Sequence, residues 1–481
     1  MTQTPAPAPA SADETLLPAP PGPPRRSPRV LILGGGTVGL YTARRLRRRL
    51  GRREAAIVVV DPRPYMTYAP FLPEAAAGSI DPRNVVAPHR RALKGVDVLL
   101  GSVLAIEHAG RRVHIAPEEG EPYWVTYDHL VVGLGSVART LPIPGLAETG
   151  IGFKTIEEAI AVRNHVLGRI EVAASTWDPD VRRRMLTFVF VGGGFAGVEA
   201  LAEVEDIARY TVRRYRQVEP EELRFVLVEG STRILPEVSL ELGEYTLEQL
   251  RKRHIEIHLS TFLSSCTDGH VVLSDGTTMD AETLVCTAGV RAHPVLRNSD
   301  LPLDDRGRVI PDACLRVTTA DGRRVADAYA AGDCAAVPDL AAPAADGPVA
   351  TCPPNAQHAL RQGNHLGDNL ARVLGSAEPT PYRHRNIGAV ASLGMYKGVA
   401  QMFGRIKVRG FLAWVLHRTY HVFAMPTVNR KLRIMAGWTA SLLLRREVVA
   451  LGSLHDPRAA FRAAAAPMPV PPPTTPPAVE G

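Results

Sequence analysis

Two glycine-rich turns, each set between a buried strand and a helix, constrain this chain more than anything else in it. Arg29-Val30-Leu31-Ile32-Leu33 is a short apolar run of the kind that lies inside a parallel sheet, and Gly34-Gly35-Gly36-Thr37-Val38-Gly39 follows it directly. A helix is predicted from residue 38 to about 50, and a second buried strand over 57–61. The order strand, glycine turn, helix, strand is that of a βαβ unit. The same order returns with a strand over 187–191, the turn Gly192-Gly193-Gly194-Phe195-Ala196-Gly197, a helix from 198 to about 217 and a strand over 225–229. Gly34 and Gly192 are 158 residues apart, so each turn belongs to its own sheet.

In a G-x-G-x-x-G turn the first glycine permits the tight bend and the second lets a pyrophosphate approach the backbone. The third lets helix and strand pack closely, while the helix N-terminus offers free N–H donors and positive potential. Gly34, Gly36 and Gly39, and again Gly192, Gly194 and Gly197, fill those places. An acid at the end of the next strand accepts hydrogen bonds from a ribose diol. Asp61 stands 22 residues beyond Gly39, and Glu229 stands 32 beyond Gly197, so the second intervening helix is expected to be extended. Glu229 accepts a 2′-hydroxyl and repels a 2′-phosphate, favouring NADH over NADPH; Arg233 nearby works against that preference.

A third element is Ala331-Gly332-Asp333-Cys334-Ala335, whose small residues let backbone close on a cofactor while Asp333 binds ribityl hydroxyls; alone, it reads equally as a strand-to-helix turn. The helix expected over 354–374 begins shortly after, and its N-terminus suits an anionic reduced flavin. The fold class is therefore α/β, with two Rossmann-like dinucleotide-binding domains and a C-terminal amphipathic helical element. A discontinuous first domain is expected over 29–147 and 310–385, a second over 148–309, and the C-terminal element over 386–462. Pro142, Pro144 and Gly145 mark the crossover. The Pro- and Ala-rich ends, 1–28 and 463–481, read as a disordered leader and tail.

The chain has 481 residues, 45% hydrophobic and 22% charged, enough for two or three domains. Its net charge of +7 suits an anionic partner, whether nucleotide, nucleic acid or acidic lipid. No basic run alternates with aromatics, so no nucleic-acid partner is expected. The five cysteines contain no Cys-x-x-Cys pair, so no metal site or disulfide framework is expected.

These motifs together resemble the two-domain flavoproteins of the pyridine nucleotide-disulfide oxidoreductase superfamily. Within it the chain is similar to the type II NADH:quinone oxidoreductases, single-subunit and non-pumping, over roughly residues 29–455. The resemblance implies that FAD sits on Gly34, Gly36, Gly39, Asp61, Gly332 and Asp333. It implies NADH on Gly192, Gly194, Gly197 and Glu229, and a quinone as acceptor. Glu199 matches a family glutamate near nicotinamide and flavin, though an ordinary helical glutamate fits the position as well. Ala356-Gln357-His358-Ala359 matches a family motif near flavin and quinone. The family's second glutamine stands four residues after the first, whereas Gln362 stands five after Gln357. Five residues turn a helix by about 140° and four by about 40°, so Gln362 need not line the same pocket. Lys397, next to Tyr396, falls where relatives approach the flavin from the quinone side, and a surface lysine fits it equally. Glu199, Gln357 and Lys397 are thus the expected catalytic group, with Ala356 beside the cofactor.

Disulfide reductases need a cysteine pair after the first βαβ unit, and this chain has no cysteine before Cys266. Sulfide:quinone oxidoreductases share the architecture but carry sulfur on cysteines. Cys352, just ahead of the Ala356-Gln357 motif, keeps that alternative open, while Cys334 is expected to pack behind Asp333. A non-catalytic NADH-sensing flavoprotein is the third possibility.

No run of 18 apolar residues exists, so no helix is expected to cross a bilayer. Segments 408–425 and 429–446 mix aromatic and apolar residues with arginines, a pattern that suits helices lying on an anionic cytoplasmic membrane face. Helices packed on the protein itself, or across a homodimer, carry the same pattern. His417 and His421, lacking a third ligand, are expected as interfacial side chains.

Overall fold

The computed structural model describes residues 27–51, 54–342, 350–384, 388–444 and 446–450. Most of the expected leader, the whole expected tail and the end of the C-terminal segment lie outside them. Strand Arg29–Leu33 lies at the middle of a six-stranded sheet because every side chain from Val30 to Leu33 is fully buried. It pairs in parallel with Ala56–Asp61 on one side and His129–Val132 on the other, Leu31 facing Val58 and Leu130. Asp97–Leu100 extends one edge, and Arg324–Ala330 with Arg316–Thr318 extends the other. The chain thus returns to its first sheet after some two hundred residues spent elsewhere, as the composition of 324–330 alone does not announce.

The second sheet is parallel throughout, in the order Gly150–Gly152, Thr283–Cys286, Thr187–Val191, Arg224–Glu229, Ile255–Leu259. Thr187–Val191 is buried along its whole length, with Phe188 stacked on Phe225. In both sheets the strand preceding the glycine turn has its successor on one side and a later strand on the other. That is a topological switch point, where the carboxyl ends of the strands part and leave a crevice.

The helices differ from expectation at their ends. The second glycine-turn helix runs Phe195–Val212 and so begins inside the turn. A third element, the helix Ala356–Leu374, packs on helix Thr37–Arg49 through Gly363 and Gly367. A Cβ on Gly363 would meet the Val38 carbonyl oxygen at 2.8 Å, and one on Gly367 would meet that of Thr42 at 2.9 Å. Thr42 Oγ donates to Gly363 O at 3.0 Å, and Asp368 pairs with Arg45 and Arg49 at 2.8 and 2.7 Å. This close crossing aims the N-terminus of the 356–374 helix at the crevice of the first sheet.

The C-terminal segment is not helical from its start. It opens with a three-stranded antiparallel sheet, Gly388–Ser392, Gly398–Met402 and Ile406–Arg409, followed by helices Phe411–Ala424 and Val428–Leu443. Among the described residues no helix is long and apolar enough to cross a membrane.

Candidate functional site

The two glycine turns have matching geometry. Gly34 and Gly192 take φ of 93° and 114°, where a side chain would be strained. A Cβ on Gly39 would stand 1.8 Å from Gly34 O, and one on Gly197 1.9 Å from Gly192 O. Over Gly36 and Gly194, by contrast, a Cβ would meet nothing within 4 Å. Both glycines cap their helices without any side-chain hydrogen bond, leaving first-turn N–H groups free beside open space. The 156–175 helix, away from either turn, closes its N-terminus with a Thr155–Glu158 capping box. Free donors therefore occur where a pyrophosphate is expected, and the residues present fit both dinucleotides.

The terminal acids hold their own turns. Asp61 accepts from Gly35 N–H and Arg63 N–H at 2.7 and 2.8 Å. Glu229 accepts from Gly193 N–H and from Ser231 N–H, the latter at 2.7 Å. Each carboxylate oxygen keeps a second lone pair for a ribose hydroxyl. Arg233 does not face that ribose as a free cation: its guanidinium donates to the carbonyls of Leu235 and Val238 at 3.2 and 2.5 Å. The residue expected to soften the NADH preference is spent on its own loop.

Asp333 accepts from Ser136 Oγ at 2.7 Å and lies 3.5 Å from Lys154 Nζ. Gly332, at φ 78°, is pressed against Val38 so closely that a Cβ would fall 2.5 Å from Val38 Cγ2. Its N–H donates to Gln362 Oε1 at 2.7 Å. Gln362 is buried and turned toward the Ala-Gly-Asp element, whereas Gln357 faces the other way. Gln357 Nε2 donates to Gly388 O at 2.7 Å and its Oε1 accepts from Arg361. Asn355 caps His358 N–H at 2.8 Å, which leaves the amides of Ala356 and Gln357 as the donors offered by that N-terminus.

Glu199, in the second turn of the 195–212 helix, is buried, and its Oε1 accepts from Ser392 N–H at 2.8 Å. The strand Gly388–Ser392 thus has Gln357 bound at its first residue and Glu199 at its last, about 13 Å apart at ordinary strand rise. Lys397 is exposed in the turn after that strand, beside Tyr396, which packs on Trp414 at 5.1 Å. The structure brings Glu199 and Gln357 to one strand and leaves Lys397 at its hairpin turn.

His417 and His421 are not interfacial. The Phe411–Ala424 helix turns Trp414, His417, Arg418 and His421 inward and leaves Phe411, Leu412, Val415 and Phe423 exposed. The reason is the partner it covers. His417 Nε2 lies 3.0 Å from Glu199 Oε1 and its Nδ1 3.6 Å from Glu74 Oε1, all three buried. Tyr68 Oη meets His421 Nδ1 at 3.0 Å, and Arg418 lies over the rings of Trp414 and Trp438. Glu203, also buried, accepts from Ser392 Oγ at 2.8 Å. Glu74 and Glu203 escape a motif search, although the i, i+4 spacings of Glu199 with Glu203 and of His417 with His421 are visible signals of one-sided polar stripes. A turn further along, Arg253 pairs with Asp206 at 2.9 Å and with Glu205, which Arg209 also contacts. Burial pushes Asp206 up to about 6 against the pull of Arg253.

A cavity of about 440 Å³ opens between the 37–49, 356–374 and 411–424 helices, lined by Gln357, Leu360, Tyr41, Tyr420 and Phe423 with Arg44 and Lys431 at its wall. The sequence profile of the pyridine nucleotide-disulphide oxidoreductases matches residues 28–363. The chain belongs to that family. It is similar to the type II NADH:quinone oxidoreductase Ndh of Mycobacterium tuberculosis, 28% identical over 441 residues that cover 88% of this chain and 90% of the relative. It is likewise similar to the type II NADH:quinone oxidoreductase of Staphylococcus epidermidis, 29% identical over 382 residues, covering 78% and 90%. Among solved structures it shares the fold of NDH2 from Plasmodium falciparum in complex with NADH, with a TM-score of 0.80 at 15% identity, covering 88% of this chain and all of that one.

Proposed function

We propose that this family member is an NADH:quinone oxidoreductase that uses FAD and moves no protons across a membrane itself. The observation that carries the reading is the pair of matched glycine cradles, each at the switch point of its own sheet, with the Gln357 cavity alongside. NADH takes the Gly192–Gly197 turn with Glu229 on its ribose; FAD takes Gly34, Gly36 and Gly39 with Asp61, and Gly332 with Asp333. The domains are then 29–147 with 310–385 for FAD, 148–309 for NADH and 386–462 for contact with the membrane.

Held by these residues, FAD would supply the hydride- and electron-transfer chemistry that links nicotinamide to quinone. The chain supplies position and charge. Gln362 fixes the Gly332 turn so that Asp333, steadied by Ser136 and Lys154, meets the ribityl chain. The free amides of Ala356 and Gln357 would offer positive potential to a reduced flavin held there. Gln357, Tyr41, Tyr420 and Leu360 give the cavity the mixed apolar and hydrogen-bonding wall that a quinone head requires. Glu199 holds the far end of the 388–392 strand through Ser392 N–H, and Lys397 borders the acceptor side.

The outward Phe411, Leu412, Val415 and Phe423, with Val428, Leu432 and Met435 of the last helix, form an apolar face among Arg430, Lys431 and Arg433. That composition suits an anionic lipid surface on the cytoplasmic side; a second copy of the chain is the competing cover. A sulfur-carrying reaction is disfavoured because burial pushes the thiols of Cys334 and Cys352 up to about 12 and about 11, away from the thiolate such chemistry needs.

Anaerobic stopped-flow tests the reading. NADH is expected to bleach the flavin within milliseconds to seconds, and a short-chain quinone to restore its colour repeatedly. A colourless protein, or one bleached by NADH but not reoxidised by quinone, overturns it.

A further inference from the structure

We propose that Phe262 is the platform on which the adenine of NADH stacks, so that this ring sets affinity for the dinucleotide and leaves the hydride step alone. The inference rests on the reading that NADH occupies the Gly192–Gly197 turn.

The order of the second sheet decides where each half of the dinucleotide lies. Strands Thr283–Cys286 and Thr187–Val191 are neighbours, and Arg224–Glu229 and then Ile255–Leu259 follow on the far side of Thr187–Val191. A pyrophosphate on the Gly192 turn straddles the crevice between the first two. Glu229, at the carboxyl end of its strand, takes the ribose on one side of that crevice. The base carried by this ribose therefore lies over the carboxyl ends of Arg224–Glu229 and Ile255–Leu259, and the nicotinamide lies on the opposite side of the turn. Two aromatic side chains of 148–309 are exposed, Trp177 and Phe262. Trp177 belongs to the connection that leads into the amino end of Thr187–Val191, whereas Phe262 follows the carboxyl end of Ile255–Leu259. Only Phe262 stands at the edge where the base arrives.

The backbone holds the ring in that place. Ser260, at φ 54°, bends the chain as it leaves the strand. Ser260 N–H donates to Ser231 O at 2.9 Å and Thr261 N–H donates to Glu229 O at 3.0 Å, so the bend is tied to the two residues that flank Gly230. Phe262 N–H donates to Ser274 Oγ, and Phe262 O accepts from Ser274 N–H, both at 2.9 Å. The ring then rests against Gly230, where a Cβ would fall 2.4 Å from Phe262 Cε1. A glycine directly after the ribose acid is explained by the ring it seats. Even so, the side chain stays 63% exposed. An apolar ring anchored through its backbone and left in water gains from any flat apolar cover. A purine supplies one, and stacking on an aromatic ring is favourable whatever the edge of the base carries. The phenyl ring offers no hydrogen bond, so it reads the face of the base and not its edge.

The test separates the two halves of the dinucleotide. ADP-ribose carries the adenine, both riboses and the pyrophosphate but no nicotinamide. Calorimetry on oxidised holoprotein is expected to show its Kd raised about tenfold in Phe262→Ala and held within about twofold of wild type in Phe262→Tyr. In anaerobic bleaching of the flavin, the NADH concentration at half-maximal rate is expected to rise by the same factor in Phe262→Ala, with the limiting rate unchanged. Reduced nicotinamide mononucleotide, which lacks the adenylate half, is expected to bleach wild type and Phe262→Ala equally. Unchanged ADP-ribose affinity in Phe262→Ala, or an equal loss with the mononucleotide, overturns the platform. If Phe262→Ala does not fold, Phe262→Leu decides, because leucine keeps an apolar contact on Gly230 and lacks the aromatic face: a loss of ADP-ribose affinity supports the proposal and wild-type affinity refutes it. Wild-type flavin that NADH never bleaches overturns the functional reading and the platform with it. ADP-ribose binding that ignores Phe262, in protein that NADH does bleach, overturns the platform alone.

Discussion

Gly332 N–H donates to Gln362 Oε1 at 2.7 Å, and this one bond ties the Ala-Gly-Asp turn to a helix thirty residues further on. Gln362→Leu would leave the Gly332 amide without its acceptor in a partly buried setting, at a cost of about 1 kcal/mol. The expected outcome is protein that loses flavin on dilution, measured as the ratio of flavin to protein absorbance, with a lowered Tm. Flavin content equal to wild type would show that Asp333 is held by other means.

The matched close approaches at Gly39 and Gly197 separate the two cofactor roles. Gly39→Ala puts a methyl 1.8 Å from Gly34 O and is expected to give colourless protein. Gly197→Ala, with a 1.9 Å approach to Gly192 O, is expected to give yellow protein whose flavin dithionite bleaches and NADH does not.

Because the Arg233 guanidinium is bound to Leu235 O and Val238 O, it is not turned to a 2′-phosphate at Glu229. kcat/KM for NADH is expected to exceed that for NADPH by about tenfold or more, one well-placed charge contact amounting to about 1.5–3 kcal/mol. Glu229→Gln is expected to narrow the ratio mainly by improving NADPH.

Asp206 gives a pH effect of defined sign. Its folded value of about 6 lies above its ordinary 3.8, so the native state binds the extra proton between those values. Its contribution to stability is present below about pH 4 and is lost as pH rises through about 6. Urea midpoints measured from pH 4 to 7 are expected to show this fall in wild type and a flatter profile in Asp206→Asn.

Leu412→Ser with Leu432→Ser should release the protein from vesicles containing phosphatidylglycerol while leaving reduction of a water-soluble quinone intact. Sedimentation with vesicles reads the first outcome and a spectrophotometric assay the second. Retention on lipid together with a change in oligomeric state would identify a second copy as the cover of that face.

How much of this was legible in the sequence follows physical range. The glycine turns declare themselves because strand, turn, helix and acid are local, and they lie where the spacing put them, within a few residues at helix ends. The return of 310–385 to the first domain was expected, but the pairing of 324–330 with 129–132 joins segments separated by the whole second sheet in sequence, and no local pattern encodes that register. Gln362 was visible as a departure from the family's spacing, yet only the crossing of the 37–49 and 356–374 helices shows that its new direction ends at Gly332. His417 and His421 were read by helix composition, in which aromatic and cationic residues suggest a lipid surface. The facing of the two imidazoles differed from that reading, because Glu74, Glu199 and Glu203 come from two distant segments.

The inside-out character of the 411–424 helix changes what shortening the protein would mean. Cutting the chain before Phe411 would strip away more than an anchor, for it would also flood Glu199 and its acidic neighbours with water and remove the His417 imidazole that faces them. A truncated form made for easier handling is expected to take up flavin and react with NADH, then stall at the acceptor, and its failure would be misread as lost attachment to the bilayer.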